Sequence, residues 1–165
     1  MTRLVAFAGL PGTGKSTLAR GLAQALGAAW IRIDHIEQAM REAGIAEVGP
    51  AGYLAGYAVA QANLSLGLSV VADSVNPLQI TRDAWRDAAR VAGADFAEVE
   101  VVCSDPAEHR SRVETRAIDI PGLVPPTWDA VQAREYEAWD RKRLVIDTAG
   151  RSLDTSLAEL RAALG

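Results

Sequence analysis

The sequence lacks the features that mark secreted, membrane-spanning and zinc-binding proteins. Its single cysteine, Cys103, cannot form a disulfide within the chain, which favours a reducing compartment. No apolar run reaches transmembrane length, and the first predicted strand begins within three residues of the start, which leaves no space for a signal peptide. The two histidines, His35 and His109, have no histidine or cysteine at ligand spacing, so no zinc site is expected. These absences predict a cytoplasmic protein without a membrane anchor.

The chain also lacks an excess of positive charge. Its 165 residues carry a formal net charge of −4, which argues against a general nucleic-acid-binding surface and requires any positive patch to be local. The length suits a single domain over residues 1–165, and a hydrophobic fraction of 49% is sufficient for a packed core. No internal repeat, low-complexity tract or interdomain linker divides the sequence.

What the sequence does contain is a complete phosphate-binding loop at residues 9–16, which read GLPGTGKS. The apolar run 4–8 before the loop is typical of a buried strand, and residues 15–26 after it have apolar residues at helical spacing. Glycines let the backbone approach a ligand closely, so the loop amides and the start of the helix together favour an oligophosphate. In such a loop Lys15 reaches the β- and γ-phosphates and Ser16 contributes a ligand to Mg²⁺. The sequence thus predicts ATP and Mg²⁺ as cofactors, with nucleotide contacts from Gly9, Pro11, Gly12, Thr13, Gly14, Lys15, Ser16 and Thr17.

Two acidic residues follow predicted strands, Asp34 after residues 30–33 and Asp73 after residues 70–72. Ligands of open parallel sheets bind beyond the carboxyl ends of the strands, which places both acids near the terminal phosphate. Phosphoryl transfer needs an oriented nucleophile and neutralised charge. We therefore expect Asp34 to be the base that also anchors the substrate hydroxyl, and Asp73 to serve Mg²⁺ or the substrate. The alternative is that each acid caps the next helix.

Residues 109–116 read HRSRVETR, which places Arg112 and Arg116 one turn apart on one helical face. Proline–glycine and proline–proline pairs then interrupt the chain, a pattern typical of a hinged lid over residues 108–126. Closing such a lid would bring the guanidinium groups to the transferring phosphate and exclude water. The alternative is a solvated helix with a Glu108–Arg112 ion pair, which contributes only ~0.3–0.5 kcal/mol.

Strand and helix signals alternate along the chain, which predicts an α/β fold with a parallel sheet covered by helices on both faces. Five strands are expected, at residues 3–8, 29–33, 69–72, 97–103 and 144–147. Helices are expected at residues 15–26, 35–43, 50–66, 77–92, 106–118, 127–140 and 154–164. Asn76 followed by Pro77, and Asp105 followed by Pro106, each have the order of an N-cap and a first helical residue.

Polar and aromatic residues surround the space where an acceptor would lie. Those expected to contact it are Tyr53, Tyr57, Asn76 and Arg82. For the tyrosines, four residues apart on one helical face, the alternative is ordinary packing. Trp128 and Trp139 are expected to pack as part of one stripe of the helix 127–140. Gly52 and Gly56, also four apart, permit a close helix contact either with a second copy in a homodimer or within one chain.

Together these motifs resemble the small P-loop kinases, a group that includes gluconate, shikimate and adenylylsulfate kinases, chloramphenicol phosphotransferase, zeta toxins and the kinase domain of polynucleotide kinase. The resemblance covers nearly the whole chain and implies a three-layer P-loop NTPase fold with five parallel strands in the order 2-3-1-4-5. It also implies that Asp34 is the catalytic acid–base residue, that Arg112 and Arg116 are lid arginines, and that the loop of Arg151 lies at the adenine. Many members have an arginine three residues after the aspartate, which often binds an anionic substrate. Glu37 stands there instead, a departure that favours a neutral or cationic substrate at this point.

The sequence favours an ATP-dependent kinase that phosphorylates a hydroxyl of a small polar metabolite or antibiotic. Lys15, Mg²⁺ and the lid arginines would stabilise the transferring phosphate, and Asp34 would take the proton. A kinase of nucleic-acid ends is the first alternative, and it requires a basic track with stacking residues that the acidic composition disfavours. The second alternative is a nucleotide-switched binding protein, although the guanine-specificity motif Asn-Lys-x-Asp of GTPase switches does not occur.

Overall fold

The computed structural model describes residues 2–165, and this part of the chain forms five strands and seven helices. The strands are β1 (Arg3–Ala8), β2 (Ala29–Arg32), β3 (Val70–Asp73), β4 (Asp95–Val102) and β5 (Leu144–Asp147). The helices are α1 (Lys15–Leu26), α2 (Ile33–Glu42), α3 (Ala51–Ser65), α4 (Gln79–Val91), α5 (Pro106–Thr115), α6 (Trp128–Gln132) and α7 (Leu153–Leu164). Within the described residues, no helix combines the length and the apolar character that a membrane crossing requires.

The five strands are all parallel and lie in the order β2-β3-β1-β4-β5, which confirms the predicted sheet. The strand register pairs Asp73 with Phe7 of β1 on one side and with Arg32 of β2 on the other. The carboxyl ends of β2, β3 and β1 therefore form one row. Ligands of parallel sheets bind at this edge, and the phosphate-binding loop leaves β1 there.

Apolar side chains fill both faces of the sheet. Val5 and Phe7 of β1 pack under α1 and α7, while Leu4 and Ala6 of the same strand pack under α3 and α4. Each large apolar side chain buried in these layers contributes about 1.5–3 kcal/mol, so the two layers hold the strand ends in fixed positions.

The two predicted helix caps have different outcomes. Asp105 caps α5 as expected, because its carboxylate accepts the backbone N–H groups of Ala107 and Glu108 at 2.9 and 3.1 Å. Asn76 does not cap α4, so that prediction is wrong. Its backbone is left-handed with φ 49°, its Oδ1 accepts from the Thr81 hydroxyl at 2.8 Å, and α4 begins only after an extended residue further on.

The helix predicted over residues 127–140 is mostly absent, since α6 has only five residues. The carbonyl groups of Glu137 and Ala138 accept hydrogen bonds from the Arg82 guanidinium at 3.0 and 3.3 Å. The N–H group of Glu137 donates to the Pro77 carbonyl at 2.9 Å. These long-range bonds take the place of the i to i−4 bonds that would continue the helix.

Gly52 and Gly56 bring α3 close to α2 and α4 of the same chain. A Cβ atom on Gly52 would lie 2.4 Å from Glu37 Cγ, and one on Gly56 would lie 2.5 Å from Ile33 Cδ1. The close contact expected of this glycine pair is therefore internal, and it gives no support to a homodimer.

Candidate functional site

The phosphate-binding loop joins β1 to α1 in a conformation that requires glycine at two positions. Gly9 and Gly12 have φ angles of 146° and 83°, in the region that other residues rarely adopt. A Cβ atom would lie 2.4 Å from the Val101 carbonyl oxygen at the first position and 2.5 Å from Val113 Cγ2 at the second. No side chain caps α1, which begins at Lys15, so the amide groups of its first turn suit an anion.

Asp73 lies at the junction between this loop and the sheet. Its side chain is 1% exposed, and its Oδ1 accepts hydrogen bonds from Lys15 Nζ at 3.1 Å and from Ser16 Oγ at 3.2 Å. A buried carboxylate is costly unless it is paired, so these donors and the nearby Arg32 guanidinium compensate for its burial. Because Leu78 holds the N-cap position of α4, the alternative that Asp73 caps that helix is excluded.

The Ser16–Asp73 pair fits a magnesium ion. Mg²⁺ binds oxygen ligands and is usually held by one or two protein groups together with phosphates and water. Asp73 Oδ2 is buried and has no hydrogen-bond partner among residues 2–165, with Arg32 Nε 3.8 Å away. The hydroxyl of Ser16 and the carboxylate of Asp73 are therefore the groups that could hold the ion.

Asp34 and Glu37 face the site from the first turns of α2. Because α2 begins at Ile33, directly after β2, Asp34 lies inside the helix and the alternative that it is the N-cap is excluded. The Glu37 carboxylate lies against Gly52 and pairs with Arg41 at 3.4 Å. Burial raises the pKa of the Glu37 carboxyl above its ordinary value, and Arg41 opposes this effect.

Arg112 connects α5 to two other parts of the site. Its guanidinium donates to the Thr148 hydroxyl at 2.7 Å, to the Thr148 carbonyl at 2.9 Å and to the Thr13 carbonyl at 3.4 Å. The Thr148 hydroxyl also lies 2.6 Å from the Thr13 carbonyl oxygen. The ion pair with Glu108, which the sequence offered as an alternative to a lid, is present but is only one of these contacts. Arg112 thus holds α5 against the phosphate-binding loop and the end of β5.

The segment predicted to form a lid lines the cleft with Arg112, Arg116, Ala117, Asp119 and residues 123–126. α5 is three residues shorter than expected, and Arg116 after it has an extended backbone. Asp119 accepts a hydrogen bond from Arg32 Nη1 at 2.6 Å, and this bond lowers the pKa of the Asp119 carboxyl. On the other side, His109 Nε2 lies 2.8 Å from the Pro11 carbonyl oxygen. The segment predicted to form a lid is therefore attached both to the phosphate-binding loop and to the end of β2.

These elements enclose a cleft of about 820 Å³. Eight basic and three acidic side chains line it, although the chain as a whole has a net charge of −4. The positive charge is therefore local. The predicted site residues that line the cleft are Pro11, Gly12, Gly14, Lys15, Ser16, Thr17, Asp34, Glu37, Arg112, Arg116 and Arg151.

The other predicted site residues do not line the cleft. They are Gly9, Thr13, Tyr53, Tyr57, Asp73, Asn76 and Arg82. The Tyr53 hydroxyl accepts the Asn76 N–H at 3.1 Å, and the Tyr57 ring lies edge-on against Trp85 with centroids 4.6 Å apart. Both tyrosines therefore pack within the fold, which was the alternative to their contacting the acceptor.

Arg82 stabilises the fold and is turned away from the cleft, which corrects its expected role as a substrate contact. Its side chain is fully buried, and all three guanidinium nitrogens donate to backbone carbonyls, those of Asn76, Pro77, Glu137 and Ala138. Its Cζ lies 3.9 Å from the centre of the Trp139 ring. Trp128 packs instead against His109, so the two tryptophans do not form the expected helical stripe.

Arg32 and Arg134 are among the residues of the cleft that the sequence analysis does not predict. Arg32 is a basic residue at the end of an apolar strand, directly before the segment of Asp34, and this position is the signal that could have identified it. Arg134 lines the cleft from the segment interpreted as a helix, and its place depends on the long-range contacts of Arg82. No local pattern marks it.

Comparisons with known proteins agree with this geometry. The family model AAA_33, described as an AAA domain, matches residues 4–138, and no curated protein matches the chain. A candidate kinase of Chloroflexus aurantiacus J-10-fl has a similar structure, with a TM-score of 0.77, 19% identity and 99% of both chains covered. A gluconokinase of Sinorhizobium meliloti 1021 has a TM-score of 0.64 at 19% identity, covering 97% of this chain and 94% of its own. An APS kinase of Mycobacterium tuberculosis in complex with AMPPNP and APS has a TM-score of 0.65 at 20% identity, covering 99% and 97%.

At such identities the similar structures show the fold alone. The family match covers most of the chain and includes the phosphate-binding loop, both acids at the strand ends and α5. The chain belongs to the AAA_33 family, and the P-loop fold expected from its motifs is confirmed.

Proposed function

We propose that the chain is an ATP-dependent kinase that transfers the γ-phosphate to a hydroxyl of a small polar molecule. The observation that carries this proposal is that Asp34 lines the same cleft as the groups suited to phosphate and metal, Lys15, Ser16, Arg112 and Arg116. Phosphoryl transfer depends on positioned phosphates, neutralised charge and an oriented nucleophile, and this cleft offers a residue for each. Membership of the AAA_33 family, and structural likeness to a gluconokinase and an APS kinase, support the same function.

The nucleotide phosphates would bind the amide groups of the loop and of the first turn of α1. Lys15, which here donates to Asp73, would turn to the phosphates, and Asp73 would then share the magnesium ion with Ser16. The bound ion supplies charge neutralisation at the phosphates. The loop of Thr148 and Arg151 also lines the cleft, and we place the adenine beside it.

In the chemical step the acceptor oxygen forms a bond to the γ-phosphorus, and the bond between that phosphorus and the β–γ bridging oxygen breaks, releasing ADP. Asp34 accepts the proton of the acceptor hydroxyl, a role that typically contributes 10²–10⁴-fold in rate. Arg112 and Arg116 neutralise charge on the transferring group. The lid, held by the Arg32–Asp119 bond, excludes water that would otherwise compete as the acceptor.

The test is transfer of radiolabelled γ-phosphate from ATP into a panel of sugars, sugar acids, sugar phosphates, nucleosides, antibiotics and oligonucleotides. The parent is compared with Lys15→Ala and with a control variant, Glu42→Gln, which changes an exposed acid of α2 outside the cleft. We expect label in one class of small molecule, lost in Lys15→Ala and kept in Glu42→Gln. Label in oligonucleotides alone would indicate a nucleic-acid-end kinase. Tight ATP binding with no label in any compound would contradict the proposal and favour the nucleotide-switched binding protein.

A further inference from the structure

Most of the arginines that line the cleft already have partners. Arg32 bonds to Asp119, Arg41 pairs with Glu37, Arg151 pairs with Glu159, and Arg112 bonds to Thr148 and Glu108. Three further arginines of the cleft make no side-chain hydrogen bond or ion pair with any residue between 2 and 165, and these are Arg20, Arg116 and Arg134. These three are therefore the cleft arginines whose guanidinium groups remain available to bind an anion.

The three arginines lie on different elements, and Arg134 belongs to the acceptor side. Arg20 is on α1, which follows the phosphate-binding loop, and Arg116 follows α5 in the lid. Arg134 follows α6 and lines the same cleft as Asp34 and Glu37 of α2. Burial raises the pKa of Glu37, while the field of Arg134 acts against it. The guanidinium of Arg134 is thus on the side of the cleft that carries Asp34 and Glu37.

The backbone next to Arg134 is held in place by buried contacts. Arg82 donates to the carbonyls of Glu137 and Ala138, and the Tyr136 hydroxyl donates to the buried Glu100 carboxylate at 3.0 Å. A guanidinium on an anchored segment loses less conformational freedom when it binds a ligand than one on a mobile loop. Its planar fork suits a carboxylate or a phosphate.

We propose that the acceptor carries an anionic group, a carboxylate or a phosphate, that binds Arg134 while the reacting hydroxyl lies at Asp34. This inference rests on the proposed kinase function and names its substrate class. Glu37, which by itself favours a neutral or cationic substrate, is already paired with Arg41, so it does not leave an unbalanced negative charge on this side. The positive charge on this side comes from Arg134, a residue distant in sequence from position 37.

The test compares neutral compounds with their charged counterparts. Calorimetry measures binding of glycerol, glycerate and glycerol 3-phosphate, of ribose and ribose 5-phosphate, and of glucose, gluconate and glucose 6-phosphate, to protein loaded with Mg²⁺ and a non-hydrolysable ATP analogue. The parent is compared with Arg134→Gln and with Arg161→Gln, a control at an exposed position of α7 outside the cleft. Transfer of label from ATP is then measured for each compound that binds.

We expect a charged member to bind more tightly than its neutral counterpart, and Arg134→Gln to weaken its binding by roughly 10- to 100-fold. Arg134→Gln should raise KM for that compound with little effect on kcat or on ATP affinity, and Arg161→Gln should match the parent. Equal binding of neutral and charged members, no binding of any charged member, or equal binding by the parent and Arg134→Gln would overturn the proposal. Binding that depends on Arg134 without any transfer would leave the anion site in place and refute the kinase function instead.

Discussion

Replacing Arg82 with methionine is expected to lower the free energy of unfolding by about 3–5 kcal/mol. Methionine keeps an unbranched apolar stem but removes the donors to four carbonyls, at 3.0–3.3 Å, and the cation over the Trp139 ring. A hydrogen bond involving a charged group contributes about 1.5–3 kcal/mol, and a desolvated cation–π contact about 2 kcal/mol. The net figure is smaller than the sum because the variant no longer bears the cost of burying a guanidinium.

Urea denaturation of the parent and of Arg82→Met measures this difference. Arg90→Met is the matched control, since Arg90 lies on the same helix with a side chain 70% exposed and forms an exposed ion pair with Asp87. A change within about 0.5 kcal/mol is expected. Amide exchange at Glu137, whose N–H bonds to the Pro77 carbonyl, should accelerate more than exchange in β1. A loss below about 1 kcal/mol in Arg82→Met would refute the reasoning that this side chain holds the segment after α6.

Three other variants test separate parts of the site. Lys15→Ala should abolish ATP binding, and it should lower the free energy of unfolding by about 3 kcal/mol because Asp73 loses a buried partner. The double variant Lys15→Ala/Asp73→Ala should recover part of that stability in urea denaturation. If it does not, the broken Lys15–Asp73 pair is not the cause of the loss. Gly52→Ala should displace the Glu37 side chain, so it should raise KM for the acceptor and leave ATP affinity unchanged; unchanged acceptor kinetics would exclude a role for Glu37 at the acceptor. Because burial raises the pKa of Glu37, its contribution to stability is present below its ordinary pKa of 4.5 and is lost as pH rises through the raised value. Glu37→Gln should therefore be more stable than the parent at pH 7 and equally stable well below its ordinary pKa of 4.5, as measured by thermal unfolding at both pH values. A variant less stable than the parent at pH 7 would show that the Arg41 pair outweighs the effect of burial on Glu37.

The sheet and the phosphate-binding loop could be predicted because their signals are local. Residues 4–8 form an apolar run, and residues 9–16 match the fixed spacing of a phosphate-binding loop. Asp105, the N-cap of α5, is followed directly by Pro106 and three positions later by Glu108. Each of these patterns is completed by neighbours in the sequence, so the structure adds little to them.

The contacts that shape the acceptor side could not be predicted in this way. Arg82 bonds to Glu137 and Ala138, which are 55 and 56 positions away, and these bonds decide that residues after α6 are not helical. The Arg32–Asp119 bond spans 87 positions. Such pairs have no spacing rule, so only the folded chain shows that Arg134 lines the cleft.

The most direct test of the central claim measures ATP affinity and label transfer on Asp34→Asn in the same preparation. Asp34 lines the cleft without taking part in the buried Lys15–Asp73 pair, so the variant should keep the ATP affinity of the parent. If Asp34 is the base in a P-loop kinase, transfer to the acceptor should fall by roughly 10²–10⁴-fold. Transfer at the rate of the parent, with the same ATP affinity, would contradict the claim and remove Asp34 from the mechanism.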